Sequence, residues 1–241
     1  MQVIPVLIDK EIEVNDDLSK IITDAIELID GDIVVIAQKI ISKQEGQTID
    51  LSTIKPSLLA LGISSEYEKN PCIVELILSE SKKIVRMDKG RIIVETKNGF
   101  VCANAGIDES NVKDGFATLL PKNSDISAEQ IYNKLWETCG KKIAVIISDT
   151  FGRPFRMGQT NCAIGVFGIN PILNYSGTLD TFGKLLHTTA IAIADEISGA
   201  AELVMKKTTN CPVVIIRGYD FEKEISSINQ IIRPENEDLF R

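Results

Sequence analysis

Residues 142–156, KIAVIISDTFGRPFR, decide the fold of this chain. The apolar run 143–147 has the length and composition of a buried central strand, and it stops abruptly at Asp149 and Thr150. Ligand sites of open α/β sheets lie at the carboxyl ends of strands, so this end is expected to present a carboxylate, a hydroxyl and the guanidinium groups of Arg153 and Arg156.

These groups suit a metal-assisted site for an anionic substrate. A hard divalent ion takes oxygen ligands such as aspartate and threonine, and the planar arginine fork matches phosphate or carboxylate oxygens. The alternative interpretation is a surface turn in which the aspartate caps the next segment and the arginines are merely solvated. The sequence of this segment alone leaves both interpretations open.

Strand and helix patterns are interleaved along the rest of the chain. The pattern predicts a strand at 33–41, a hairpin at 83–96, a capped helix at 65–78 and a long helix at 185–206 that carries His187. Hairpins mixed with crossover helices indicate an α+β fold with mixed β-sheets packed against helices. No Pro-rich or Gly/Ser-rich linker divides the chain, so residues 1–241 are interpreted as a single catalytic unit, with two intertwined lobes as the alternative.

Composition excludes several classes of partner. The net charge of −8 argues against broad binding to nucleic acid or anionic membranes, because both need clustered positive charge. No apolar run approaches the ~20 residues that cross a bilayer, and the N-terminus lacks a basic signal-peptide region, so a cytoplasmic location is expected. The five cysteines are odd in number and widely spaced, which favours buried thiols over disulfides or a zinc site.

Two more segments carry groups of the same chemical character. In NAGIDESN (104–111), Gly106 permits a close backbone approach, Asp108 offers a second metal carboxylate and Asn111 offers a neutral amide. Lys43 follows the 33–41 strand and is placed to reach a phosphate. The alternatives are a turn with local backbone bonds and an exposed lysine. The sequence contains neither GxxxxGK[ST] nor GxGxxG, so a nucleotide would need a site other than a P-loop or a Rossmann motif.

A combined pattern runs through five segments: GDIVVIAQKIISKQEG (31–46), NAGIDESNV (104–112), SDTFGRPFRMGQTNCAIGVFGINPI (148–172), ADEISGAAELVMKK (194–207) and PVVIIRG (212–218). This set, in this order, resembles the coenzyme F420-0:gamma-glutamyl ligase family, over roughly the first 220 residues. The resemblance implies the fold of that family and a GTP-dependent ligase that adds L-glutamate to coenzyme F420-0, with the possibility of further gamma-linked glutamates. It also implies a homodimer that uses magnesium or manganese, together with a potassium ion.

The resemblance assigns roles to individual residues. It implies that Asp108 and Asp149 bind one metal ion and that Thr150 binds a second. The positions that it matches to nucleotide contacts are Asp9, Lys10, Glu11, Ile12, Gln38, Lys39, Lys43 and Asn111. Arg153 and Arg156 are expected to bind a substrate phosphate or carboxylate.

One loop departs from the family pattern. After the long helix the chain reads Lys206, Lys207, Thr208 and Thr209, where the family usually has a Met-Gly and acidic-rich sequence, and an acidic metal ligand of the family falls at about Lys207. These four residues are assigned to the nucleotide site. Each lysine is expected either to contact the triphosphate or to end the helix at its negative pole.

The mechanism that the resemblance implies is phosphoryl transfer followed by acyl transfer. A substrate carboxylate attacks the γ-phosphate of GTP, and the glutamate amine then attacks the resulting acyl phosphate. Two rival functions remain open at this point: a metal-dependent phosphotransferase or hydrolase acting on another anionic substrate, and a nucleotide-binding regulator without turnover.

Overall fold

The computed structural model describes residues 1–239 of the chain. Its strands are β1 (Gln2–Val6), β2 (Ile33–Ala37), β3 (Thr48–Asp50), β4 (Ser81–Asp88), β5 (Arg91–Thr96), β6 (Val101–Ala103), β7 (Phe116–Thr118), β8 (Ala144–Gly152), β9 (Gln159–Phe167), β10 (Leu173–Asn174), β11 (Ala190–Ile191) and β12 (Val213–Arg217). Its α-helices are α1 (Leu18–Ala25), α2 (Gln38–Gln44), α3 (Leu58–Tyr67), α4 (Pro71–Ser79), α5 (Ser124–Cys139) and α6 (Ile193–Met205).

A five-stranded mixed sheet with the order β1-β12-β2-β8-β9 forms the centre of the molecule. Strands β2 and β8 run parallel, from Ile33 opposite Ala144 to Ala37 opposite Ser148, and the other neighbours in the sheet run antiparallel. Separate smaller sheets, β3-β7, β4-β5-β6 and β10-β11, complete the strand arrangement. The predicted α+β class with mixed sheets is therefore confirmed.

Both faces of the central sheet are covered. Val145 and Ile147 of β8 enter one core with helices α1 and α5, and Ala144 and Ile146 enter a second core with α6. All four side chains are fully buried. A strand that is buried on both faces reads as a continuous apolar run, which is why residues 143–147 identify it in the sequence.

Residues between α2 and α5 in the sequence form a third core. It contains buried side chains of α3, α4 and β5, with Ala117 of β7 among them. The chain thus leaves the central sheet after α2, builds a smaller unit with its own core and returns to the sheet through α5 and β8. The interpretation of the whole chain as one catalytic unit stays a prediction.

Two predicted helices have different bounds in the structure. The prediction of one helix at 65–78 is wrong, because α3 ends at Tyr67 and a separate helix, α4, begins at Pro71. The side chain of Asn70 caps the N-terminus of α4. The helix at 185–206 begins late, at Ile193, because the preceding residues pair β11 with β10. His187 therefore lies in an exposed loop and not on a helix.

The strand predicted at 33–41 is half correct. Strand β2 ends at Ala37 and α2 begins at the next residue, Gln38. A short apolar run does not distinguish a buried strand from a buried helix. Ile40 and Ile41 are buried here as part of a helix. The difference matters because a helix brings Lys39 and Lys43, four residues apart, onto one face.

The hairpin of β4 and β5 is confirmed, with Asp88 opposite Arg91 at its turn. Within residues 1–239, each helix is too short or too polar to span a bilayer.

Gly165 is a position at which the fold should not tolerate a side chain. A Cβ atom placed there would lie 2.4 Å from the backbone carbonyl of Ser124, where α5 begins against β9. We expect Gly165→Ala to lower the free energy of unfolding by about 1–3 kcal/mol, because overpacking forces neighbouring backbone to move. Urea denaturation measures this change.

Gly199→Ala is the matched control for that substitution. Gly199 lies within α6, and no heavy atom of the described residues other than its own chain neighbours and helix backbone lies within 4 Å of a Cβ placed there. Alanine at such a helical site should stabilise the protein by about 0.4–1 kcal/mol. Equal effects of the two substitutions would contradict the proposed close approach at Gly165.

Candidate functional site

A cleft of about 960 Å³ lies at the carboxyl edge of β2 and β8. Segments from six parts of the chain line it. Fourteen of the predicted site residues are among the lining residues: Asp9, Lys10, Glu11, Ile12, Gln38, Lys39, Lys43, Asp108, Asn111, Asp149, Thr150, Lys206, Lys207 and Thr209. Arg153, Arg156 and Thr208 are exposed and lie outside this lining. The cleft thus brings together residues up to about 200 positions apart, while the functional roles assigned to them stay predictions.

Asp149 lies just beyond the parallel pairing of β2 and β8. Ser148 is opposite Ala37, the last residue of β2, and from Asp149 onward β8 is paired with β9 alone. The prediction that the strand stops at Asp149 is wrong, because the antiparallel partner carries β8 on to Gly152. Arg153 and Arg156 consequently lie in the exposed turn of the β8–β9 hairpin, outside the lining of the cleft.

Asp108 is placed by an unusual backbone turn. Asn104, Ala105 and Gly106 all have positive φ, at 52°, 55° and 71°. Consecutive left-handed residues are costly unless the surrounding structure fixes them, and such backbone strain concentrates at functional sites. The turn leads from β6 to Asp108, whose backbone forms two hydrogen bonds with Thr118, at 3.0 and 2.8 Å.

The lysines of α2 face the cleft. The Lys39 ammonium lies 2.6 Å from the Asp108 carboxylate and also donates to the backbone oxygen and hydroxyl of Ser110, at 3.0 and 2.8 Å. Lys43 pairs with Glu11. This segment was predicted as the end of a strand, and its helical conformation is what places both ammonium groups at the same cleft.

The remaining predicted nucleotide residues differ in how they are held. Lys10 pairs with Asp16 at 2.6 Å, and the Gln38 amide donates to Ser42 Oγ at 2.6 Å and to the Leu119 carbonyl at 3.1 Å. Gln38 is thus anchored within the protein at the cleft wall. Asp9 and Asn111 are exposed on the cleft surface.

Thr150 lies at the centre of a polar network. Its hydroxyl donates to Asn161 Oδ1 at 2.6 Å and accepts from Lys207 Nζ at 2.6 Å, and Lys207 also lies 3.1 Å from Glu202 Oε1. Asn161 and Glu202 were not predicted as site residues. In the sequence, Asn161 lies in the strand that follows the Asp149 segment. Its place opposite Thr150 becomes apparent only from the pairing of β9 with β8.

The two carboxylates of the cleft have opposite pKa shifts. Burial raises the pKa of Asp149 from about 3.8 to about 6, and the nearby charge of Asp108 adds to the rise against the opposing influence of Lys207 and Lys39. Burial also acts to raise the pKa of Asp108, but hydrogen bonds from Lys39 and Ser110 outweigh it, so that this pKa is lowered. Asp108 is thus stabilised as an anion, whereas no cation among residues 1–239 is in direct contact with Asp149.

A test of this electrostatic arrangement is the pH dependence of stability. A group with a pKa of about 6 in the folded state and about 3.8 in the unfolded state keeps its proton longer when folded, so stability falls as the pH rises between these values. At about 1.4 kcal/mol for each pKa unit, Asp149→Asn should gain roughly 2–3 kcal/mol over the wild type between pH 4 and 7 in metal-free buffer.

Denaturant titrations at several pH values measure this gain. Asp24→Asn provides the control, since Asp24 is exposed on α1 away from the cleft, and its curve should parallel that of the wild type. If the Asp149→Asn curve also runs parallel to the wild type, the described burial of the carboxylate is wrong.

The donor set fits one divalent ion. Asp108, Asp149 and the Thr150 hydroxyl supply oxygen atoms of the kind that magnesium or manganese prefers. Within residues 1–239, no group of three or more His, Cys, Asp or Glu side chains has the arrangement of a metal site. Two carboxylates nevertheless suffice for magnesium when substrate phosphates and water complete its coordination.

The structure is that of an α+β protein in which two carboxylates and several lysines surround one cleft. The model of the F420-0:gamma-glutamyl ligase family matches residues 8–218, and the chain belongs to that family.

Several curated relatives cover nearly the whole chain. The chain is 48% identical over 234 residues to the Coenzyme F420:L-glutamate ligase of Methanothermobacter thermautotrophicus, covering 94% of this chain and 93% of that protein. It is 48% identical to the protein of the same name from Methanocaldococcus jannaschii, covering 88% and 85%. It is 39% identical to that from Methanopyrus kandleri, covering 100% and 98%.

Proposed function

We propose that this chain is a ligase that joins the amine of L-glutamate to the carboxylate of coenzyme F420-0 at the expense of GTP. Support comes from the family membership and from relatives that carry the name Coenzyme F420:L-glutamate ligase. The observation that carries the proposal is the single cleft in which Asp108, Asp149 and the lysines of α2 converge.

The reaction takes place in two steps. A carboxylate oxygen of F420-0 attacks the γ-phosphorus of GTP, the bond to the β,γ-bridging oxygen breaks and GDP leaves. The glutamate amine then attacks the acyl carbon, an amide forms, phosphate leaves and the amine loses its proton to solvent. Neither step needs a protein nucleophile, because the substrates supply both attacking atoms.

The side chains of the cleft bind and orient these substrates. Lys39 and Lys43 pair with the carboxylates of Asp108 and Glu11 in this structure. When the nucleotide binds, each ammonium would contact triphosphate oxygens instead, since lysine acts as a compact point charge toward phosphate. Asp9 and Asn111 offer acceptor and amide groups to the nucleoside on the cleft surface. The cleft wall at Ile8 and Ile12 is apolar and helps to exclude water, which would hydrolyse an acyl phosphate.

Asp108 and Asp149 would hold a magnesium or manganese ion. Such an ion, when bound, supplies positive charge to the transferring phosphoryl group and orients it. The two carboxylates would hold such an ion at the edge of the β2–β8 pair, where β8 carries Asp149 and the 104–108 turn carries Asp108. A potassium ion, also implied by the family resemblance, remains part of the proposal.

One incubation tests the proposed function. Purified protein with GTP, magnesium, L-glutamate and F420-0 should yield GDP, phosphate and a product heavier by one glutamyl unit, measured by mass spectrometry. Phosphate release that does not require glutamate would favour a hydrolase or phosphotransferase. Tight GTP binding without turnover would favour a regulator. Mass increments of further glutamyl units would show how many residues are added.

We propose that the protein acts as a homodimer in the cytoplasm, where GTP and glutamate are abundant. Closed two-fold pairs are the commonest soluble oligomers, and the family resemblance implies one here. Light scattering at micromolar concentration should give about twice the chain mass of 26.5 kDa. A mass equal to that of one chain across a tenfold range of concentration would contradict the homodimer.

A further inference from the structure

We infer that the ammonium group of Lys207 is a resident cation of the cleft that occupies the place of a second divalent ion beside Thr150, so that the nucleotide site takes one divalent ion. The inference rests on the proposed function for the identity of the nucleotide. It concerns what the chain's own residues place around Thr150.

The end of α6 aims Lys207 into the cleft. The helix ends at Met205, and Lys206 adopts a φ of 51° and a ψ of −168°, which turns the chain sharply after the last helical residue. Lys207 then reaches back across the cleft to Thr150, fifty-seven residues away in the sequence, with Nζ 2.6 Å from Oγ1. Its contacts are with side chains of the cleft, so of the two roles predicted for this lysine the structure favours a role within the site.

Asn161 fixes the direction in which the Thr150 hydroxyl acts. A hydroxyl has one proton and two lone pairs, and here the proton is donated to Asn161 Oδ1 at 2.6 Å. Asn161 is itself buried, with 5% of its surface exposed. The lone pairs of Thr150 therefore face the cleft as a ligand for a cation, and the Lys207 ammonium is the cation that they contact.

Glu202 supplies the counter-charge. Its Oε1 lies 3.1 Å from Lys207 Nζ, and its Oε2 is buried without a hydrogen-bond partner among residues 1–239. A buried carboxylate oxygen is costly unless positive charge lies nearby. Thr150, Glu202 and Lys207 thus form a contiguous set of ligand, counterion and cation, in which Glu202 Oε1 offsets the charge of the ammonium.

A second divalent ion at Thr150 would conflict with this arrangement. An ion that binds Oγ1 at the usual distance of about 2.1 Å would lie within about 4.7 Å of an ammonium that is 2.6 Å from the same atom. Like charges at this separation repel, and solvent moderates the repulsion because the Lys207 side chain is 60% exposed. An ion between Asp108 and Asp149 would lie beside two carboxylates, whose charge offsets the Lys39 ammonium 2.6 Å from Asp108, whereas the ligand atom beside Lys207 belongs to an uncharged hydroxyl.

The number of bound manganese ions tests the inference without requiring turnover. The protein is saturated with the β,γ-imido analogue of GTP, and bound manganese per nucleotide is measured by equilibrium dialysis with electron paramagnetic resonance of the unbound ion. We expect one ion per nucleotide in the wild type. Lys207→Gln should bind two, because it removes the ammonium and adds an amide oxygen beside Thr150 and Glu202.

Two controls separate charge from side-chain loss. Lys207→Arg keeps a cation and should bind one ion, and Lys206→Gln alters the neighbouring lysine and should also bind one. Two ions in the wild type, or one ion in Lys207→Gln, would overturn the inference while leaving the proposed function standing. Failure of the wild type to bind the analogue at all would overturn the proposed function together with the inference.

Discussion

Asp149→Asn is expected to abolish ligation while leaving the fold intact. The amide keeps the shape of the carboxylate but removes the charge that would hold a divalent ion at the edge of β8. A metal ion contributes several kcal/mol to stabilising a phosphoryl-transfer transition state. At about 1.4 kcal/mol for each factor of ten, its loss should lower kcat/KM by roughly a thousandfold or more.

The measurement is the rate of GDP release and glutamylation across a manganese titration. Asp108→Asn should cause a loss of similar size, because both carboxylates are assigned to the same ion. Asp24→Asn, on the outer surface of α1, should retain wild-type rates. Near-normal activity of Asp149→Asn at any metal concentration would show that the assigned metal site is wrong. Retained stability would separate a catalytic defect from unfolding.

The largest effect on stability is expected at the opposite end of the central sheet. Asp32 is fully buried at the start of β2, where it accepts two hydrogen bonds from the Arg217 guanidinium, at 2.8 and 2.7 Å, and one from the Ile29 backbone, at 2.9 Å. Replacement of Asp32 would remove these three hydrogen bonds and leave the Arg217 guanidinium, whose side chain is 25% exposed, without its counter-charge. We expect Asp32→Ala to lower the free energy of unfolding by about 3–5 kcal/mol.

Urea denaturation of two further variants makes this test specific. Asp88→Ala removes a partner from an exposed pair with Arg86 at 3.8 Å and should cost at most about 1 kcal/mol. The double variant Asp32→Leu with Arg217→Met should recover most of the loss, because it removes both charges and keeps apolar volume. A loss at Asp32→Ala no larger than that at Asp88→Ala would contradict a structural role for the buried pair.

The candidate site was partly predictable because its residues occur in short, chemically distinctive segments. Asp108 and Asp149 each follow an apolar stretch of the sequence and stand out as carboxylates there. Asn161 and Glu202 carry no such signal, since an asparagine in a strand and a glutamate in a helix are common. Their place in the cleft depends on the pairing of β9 with β8 and on the packing of α6 against the sheet.

The arginines show the opposite case. Arg153 and Arg156 are chemically suited to bind phosphate, and the sequence places them close to Asp149. The structure places them in an exposed hairpin turn because β8 continues past Asp149 in antiparallel pairing with β9. Proximity in sequence did not bring them into the lining of the cleft, and their assigned role in substrate binding stays a prediction.

The sequence by itself determined the α+β class, the central strand at 143–147, the β4–β5 hairpin and the family. These features depend on local patterns: apolar runs, turn residues and motifs in a fixed order. Only the tertiary structure decided where β8 ends, that residues 38–44 form a helix, and that Lys207 contacts Thr150. The physical reason is that strand pairing and side-chain contacts between distant segments carry free energies that no local window of sequence contains, and these override local preference wherever it is weak.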